Sequence, residues 1–144
     1  MNRPTCTVAS RQLSPDQIDE LEDRFYEFNA ALTGHRDFSQ LAFVAEVEGS
    51  AVGTVAGFTW GGYCELRQLW VEENHRGHGV GNSLLTRAIE EAKDRGCAAI
   101  YLATYSFQAP DFYKRFGFEL IAEIENKPVG HSDFIMRLAL KPKA

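Results

Sequence analysis

Cysteine is scarce in this chain and poorly placed for cross-linking. Cys6, Cys64 and Cys97 are three in number, far apart and without CxxC spacing. This argues against a disulfide framework or a cysteine zinc site and makes a reducing cytosol the expected compartment. Apolar runs are short: none reaches the ~18 residues that would span a bilayer. The opening MNRPTCTVAS lacks the apolar core of a signal peptide. Like charges never cluster, and 15 basic residues stand against 20 acidic ones, for a net charge of −5. A general nucleic-acid binder needs a basic excess, so neither nucleic acid nor membrane is an expected partner. No repeat, low-complexity segment or linker breaks the 144 residues, so one domain over residues 1–144 is expected.

The residues that are present describe a folded α/β chain. A hydrophobic fraction of 44% is enough for a core without metals or cross-links. Residues 5–10 read as a short first strand. Ser14-Pro15-Asp16-Gln17 reads as a helix start, with Ser14 as N-cap, Pro15 in the first turn and Gln17 closing a capping box. Ile18, Leu21, Phe25, Phe28 and Leu32 then recur at three- and four-residue steps, and Gly34 stands where a helix C-terminus needs it. That apolar face is expected to pack on something. Residues 41–47 and 51–58, joined by Glu48-Gly49-Ser50, predict a β-hairpin, and Gly61-Gly62 leads into a third strand at 63–71. A helix to about Arg95, a strand at 97–104, a short helix near 109–116 and strands at 118–124 and 133–140 complete the chain. This order predicts a mixed, mostly antiparallel sheet of six or seven strands flanked by about four helices.

The most informative stretch is ENHRGHGVGNSLL, residues 73–85. Three glycines at alternate positions, Gly77, Gly79 and Gly81, precede a helix whose apolar stripe runs through Val80, Leu84, Leu85, Ala88, Ile89 and Ala92. A helix N-terminus offers unpaired amide N–H groups and the positive end of its dipole, which suits a phosphate. Glycines let an anion approach the backbone and permit positive φ. Arg76 adds a fork of donors. A glycine-rich turn with a purely structural role would look the same. The loop is neither a P-loop, since no Gly-Lys-Ser/Thr follows, nor a dinucleotide fingerprint, since position 82 is Asn. His75 and His78 have H-x-x-H spacing, but with no third ligand nearby they read as solvated loop histidines and no metal is expected.

Two motifs taken together are more specific. Arg76-Gly77-His78-Gly79-Val80-Gly81 fits R-x-x-G-x-G after the strand end Leu69-Trp70-Val71. Residues 109–118 fit A-x-x-F-Y-x-x-x-G-F. Over roughly residues 5–140, the combination resembles the GNAT superfamily of acyl-CoA-dependent N-acetyltransferases. The resemblance implies acetyl-CoA as co-substrate, a small-molecule or peptide amine as acceptor, and direct attack of the amine in a ternary complex. It implies that backbone amides of residues 77–82 (Gly77, His78, Gly79, Val80, Gly81 and Asn82) hold the pyrophosphate, with Arg76 and Ser83 at the ends of the loop. Leu69, Trp70 and Val71 would pair with the pantetheine arm, and Tyr113 would protonate the departing thiolate. By analogy a homodimer is expected. A non-catalytic acyl-CoA-binding domain on the same fold is the alternative.

Some positions stay open. Tyr113 is either that acid or core packing beside Phe112 and Phe116. Glu65 aligns with the glutamate that some family members use as a base, or lies exposed and paired with Arg67. Where many relatives carry Asn, seven residues before the tyrosine, this chain has Ser106, so the pantetheine contact falls to Ser106 or to Gln108. The apolar positions of the third strand switch from even (Cys64, Leu66) to odd (Leu69, Val71), which either a β-bulge near Arg67-Gln68 or burial on both faces would produce. Trp60 and Tyr63 are candidates for the acceptor side.

Overall fold

Residues 3–141 are described by the structure, a computed structural model, and they group into two compact units that divide between His35 and Arg36. In the first unit the expected strand at 5–10 does not form. Its one large apolar residue, Val8, is 93% exposed, so nothing repays the ordering of that backbone. The helix α1 (Pro15–Thr33) begins and ends as its sequence signals direct. Ser14 Oγ accepts from the Gln17 amide at 3.2 Å, while Gln17 Oε1 accepts from the Ser14 amide at 2.8 Å. Gly34, at φ 78°, donates its amide to the Ala30 carbonyl. Ile18, Leu21, Phe25, Phe28 and Leu32 remain exposed, so the packing expected of this face is not made within the unit.

In the second unit β1 (Ser39–Val47), β2 (Ser50–Trp60) and β3 (Tyr63–Val71) form an antiparallel meander. A 3₁₀ turn at Glu73–His75 and the glycine loop lead into α2 (Val80–Asp94), which returns the chain to β4 (Ala99–Tyr105), parallel to β3. Next come α3 (Pro110–Arg115), β5 (Glu119–Glu125) and β6 (Ser132–Ala139). Among the described residues the sheet has six strands in the order β1-β2-β3-β4-β6-β5, with β3 and β4 its one parallel pair. Among the described residues there are three α-helices and the 3₁₀ turn, which roughly fits the four helices expected.

α2 covers one face of this sheet. Leu84, Leu85, Ala88 and Ala92 bury their stripe against Leu41, Val55, Cys64, Leu66 and Ile100. Burying each leucine fully contributes about 1.5–3 kcal/mol. Burial pushes the Cys64 thiol up to about 12 and also raises Cys97, so both act as small apolar groups. At the end of α2, Arg95 reaches across the sheet edge and donates to the carbonyls of Ser39 and Gln40 and to Thr59 Oγ1.

Two irregularities position the site. Across the β2–β3 ladder Ala56 pairs with Gln68 but Gly57 pairs with Leu66, leaving Arg67 as the extra residue of a bulge. The parity switch in the sequence therefore reflects a bulge, and Leu69 and Val71 turn toward the core beyond it. Across the parallel ladder only Tyr63–Leu66 and Ala99–Leu102 pair. Beyond those residues β3 and β4 part.

Candidate active site

The separation of β3 and β4 opens a cleft of about 920 Å³. One wall is the bulged half of β3, from Arg67 through Gln68, Leu69 and Trp70 to Val71. The other carries Ala103 and Thr104 of β4, Phe107, Gln108 and Ala109 of the following loop, and Phe112, Tyr113 and Arg115 of α3. The glycine loop closes one end with His75, Arg76, Gly77, Gly79, Gly81 and Asn82.

That loop is rich in unsatisfied donors. The amides of residues 77–82 have no acceptor among the described residues, and the first amide of the helix with one is Ser83, which donates to the Gly79 carbonyl at 3.0 Å. Gly79 is the N-cap, at φ 84°, with no side chain to cap the helix itself. A side chain there would strain the backbone and screen these donors. Arg76 opens the loop in a fixed pose: its Nε donates to the Val71 carbonyl at 2.9 Å, and its guanidinium lies 4.7 Å from the Trp70 ring centroid. The cleft is cationic although the chain is acidic. Arg67, Arg76 and Arg115 line it, and no Asp or Glu does.

Tyr113 is half-buried between Phe112 and Phe118, with ring centroids at 5.2 and 5.6 Å. Burial pushes its phenol above the usual value, and its hydroxyl has no hydrogen-bond partner among the described residues. The spacing of its motif has a local cause. α3 is one and a half turns long, Gly117 at φ 97° reverses the chain, and the Phe118 amide returns to the Tyr113 carbonyl, which drops Phe118 into the core.

The cleft brings together Leu69, Trp70, Val71, Arg76, Gly77, Gly79, Gly81, Asn82 and Tyr113 from the expected set. His78, Val80 and Ser83 belong to the loop and first turn of α2, but their side chains do not line the cleft. Ser106 does not line it either. Its hydroxyl accepts from the Ser132 amide at 3.0 Å and its amide donates to the Ser132 carbonyl, which ties the β4 end to β6. Gln108 does line the cleft, braced by the Tyr105 amide at 2.9 Å. His75 differs from a solvated loop histidine: it is half-buried in the cleft wall, and its Nδ1 is buried with no partner among the described residues. Glu65 does not line the cleft and lies just before the bulge. Cys64 and Leu66 point to α2, so Glu65 takes the opposite sheet face, where its Oε2 is 3.7 Å from Arg67 Nε. Sequence reasoning missed Arg115, Gln68, Ala103 and Thr104. Their role as lining depends on where two strands separate, which leaves no local pattern.

A family model described as the acetyltransferase (GNAT) family matches residues 6–118. The chain is 32% identical over 113 residues to an acetyltransferase of Agrobacterium fabrum, spanning 78% of this chain and 82% of that protein. It is 34% identical over 89 residues to the blasticidin-S acetyltransferase of Streptomyces morookaense, spanning 61% of this chain and 65% of that protein. The crystal structure of an acetyltransferase from Bacillus cereus superposes with a TM-score of 0.80 at 27% identity, covering 92% of this chain and 98% of that one. The chain belongs to the GNAT acetyltransferase family, whose members are acetyl-CoA-dependent N-acetyltransferases.

Proposed function

We propose that this protein transfers the acetyl group of acetyl-CoA to a primary amine by direct attack in a ternary complex. The observation that carries the reading is the row of amides at residues 77–82 without an acceptor among the described residues, in the loop that closes one end of a cleft that three arginines line without a carboxylate. A diphosphate supplies the acceptors those amides lack. Arg115 adds charge without holding the ligand in one register, while Arg76, held on Val71 and Trp70, mainly fixes the mouth of the loop.

The pantetheine arm lies along β3 in this reading. Beyond Leu66 the cleft side of that strand has no strand partner, so its backbone offers an amide-bearing ligand what β4 offers earlier residues. Gln108 takes the contact that the sequence left open between it and Ser106. The acceptor amine, once neutral, attacks the thioester carbonyl carbon, and backbone donors stabilise the oxyanion. The carbon–sulfur bond then breaks, its electron pair stays on sulfur, and the Tyr113 hydroxyl gives that sulfur a proton. The proton lost by the ammonium before attack goes to Glu65 or through water, and the second proton, shed by nitrogen as the amide forms, restores the Tyr113 phenol through solvent.

Thermal unfolding with acetyl-CoA, CoA and ATP tests the binding half of this reading. A ligand at a hundredfold excess over Kd stabilises the fold by ~2.7 kcal/mol. A clear shift with acetyl-CoA and none with ATP is expected. No shift with either form of CoA would reduce the glycines to a structural turn.

A further inference from the structure

Glu65 and Arg67 stand beside the point where β3 and β4 part, and rings connect to both. On the sheet face away from α2, the Arg67 guanidinium lies 5.7 Å from the Phe58 ring centroid, and Phe58 stacks on Phe38 at 5.1 Å. Tyr101 is opposite Glu65 in the parallel ladder, and its ring is 6.4 Å from that of Tyr63. Burial and then the nearby Glu65 charge push the Tyr101 phenol up. Arg67 also lines the cleft, because the bulge turns it there.

From this arrangement we infer that the acceptor is an amine that carries its own carboxylate, an α-amino acid with an aromatic or large apolar side chain. The inference rests on the acetyl-transfer reading above and names its substrate. An ammonium that approaches Glu65 meets the Arg67 guanidinium at nearly the same place, so a simple cation or a polyamine gains from one charge and loses to the other. A zwitterion satisfies both: its ammonium faces Glu65, and its carboxylate takes the fork of Arg67 in place of Glu65. The pair is sheltered on one side only, with the Glu65 side chain 23% exposed and that of Arg67 61%, so a ligand reaches it. The rings of Phe58, Tyr63 and Tyr101 then offer the side chain apolar walls. Glu65, holding the ammonium, is also placed to take its proton.

The experiment uses the full chain and follows CoA thiol release from acetyl-CoA. The acceptors are L-phenylalanine, L-tryptophan, their decarboxylated counterparts phenethylamine and tryptamine, and spermidine. Each amino acid is expected to exceed its decarboxylated counterpart by about tenfold or more in kcat/KM. Arg67→Gln is expected to bring that ratio toward one, mainly through KM for the amino acids. Arg67 is largely exposed, and thermal unfolding of the variant checks that it folds. If acetyl-CoA shifts the unfolding temperature and the decarboxylated amines or spermidine are used equally well, or no amine in the panel is used, the inference is overturned while the binding reading stands. If acetyl-CoA produces no shift, both fall.

Discussion

Tyr113 illustrates what one residue needs from its surroundings to act as an acid. A phenol near an ordinary pKa of ~10 is already protonated at neutral pH, and burial against Phe112 and Phe118 raises it further. In the acid role proposed for Tyr113 the proton-bearing form is the active one, so the raised value would extend activity to higher pH rather than lowering it. The loss of kcat on the alkaline side that belongs to Tyr113 is therefore expected above pH ~10. Tyr113→Phe is expected to lower kcat by about 10²–10⁴-fold while leaving the acetyl-CoA thermal shift in place. An unchanged turnover would instead assign the proton transfer to another acid, whereas no turnover in the unmodified protein would favour a non-catalytic binding domain. The place of Tyr113 in the cleft wall was legible because its motif is local, set by a short helix and one glycine. The choice between Ser106 and Gln108 was not legible, since it depends on Ser132 of a strand 26 residues away.

At the scale of elements, the bulge in β3 depends on a glycine in β2. A Cβ on Gly57 would overlap the Glu65 carbonyl oxygen and come within 2.9 Å of Leu66 Cα. The two backbones approach this closely only where Arg67 is extruded. Gly57→Ala is expected to cost about 1–3 kcal/mol in urea unfolding, and to weaken acetyl-CoA binding by moving the β3 wall of the cleft. The contrasting variant is Gly62→Ala, whose Cβ meets nothing within 4 Å and which bears only the strain of φ +84°. If Gly57→Ala is as stable as Gly62→Ala, the bulge does not depend on this contact. The bulge itself was readable as a switch of parity in the apolar pattern. The glycine opposite was not, because AVGTVAGF reads as an ordinary run of small strand residues until its partner is known. The expected strand at 5–10 failed for a related reason: alternation proposes a strand, but only a partner with an apolar face makes one. The helix boundaries, by contrast, were set by caps that bond within four residues of themselves.

The whole molecule carries a net charge of −5, yet its cleft is lined by Arg67, Arg76 and Arg115 without a carboxylate. A global charge count argues against polyanions and says nothing about a small anion. Bound at one end of a separating pair of strands, such an anion feels the local arginines, while charges beyond a Debye length of about 8 Å are screened. The topology makes the same place the weakest part of the sheet. β3 and β4 share four residue pairs, whereas β4 and β6 share seven, so the ladder joining the two halves of the sheet is short: Tyr63–Leu66, with the Ala98 amide donating to the Gly62 carbonyl just before it. Hydrogen exchange reads both effects together. In the free protein the amides of residues 77–82 have no acceptor, and they are expected to exchange near the rate of an unstructured chain. Saturating acetyl-CoA is expected to slow them by about tenfold or more, together with the unpaired cleft-side amides of residues 67–71, while β5 at the far edge stays unchanged. Slowing at 67–71 without slowing at 77–82 would place the ligand along the strand but its diphosphate elsewhere. Slowing in neither segment, with a thermal shift present, would place the binding site outside the cleft altogether.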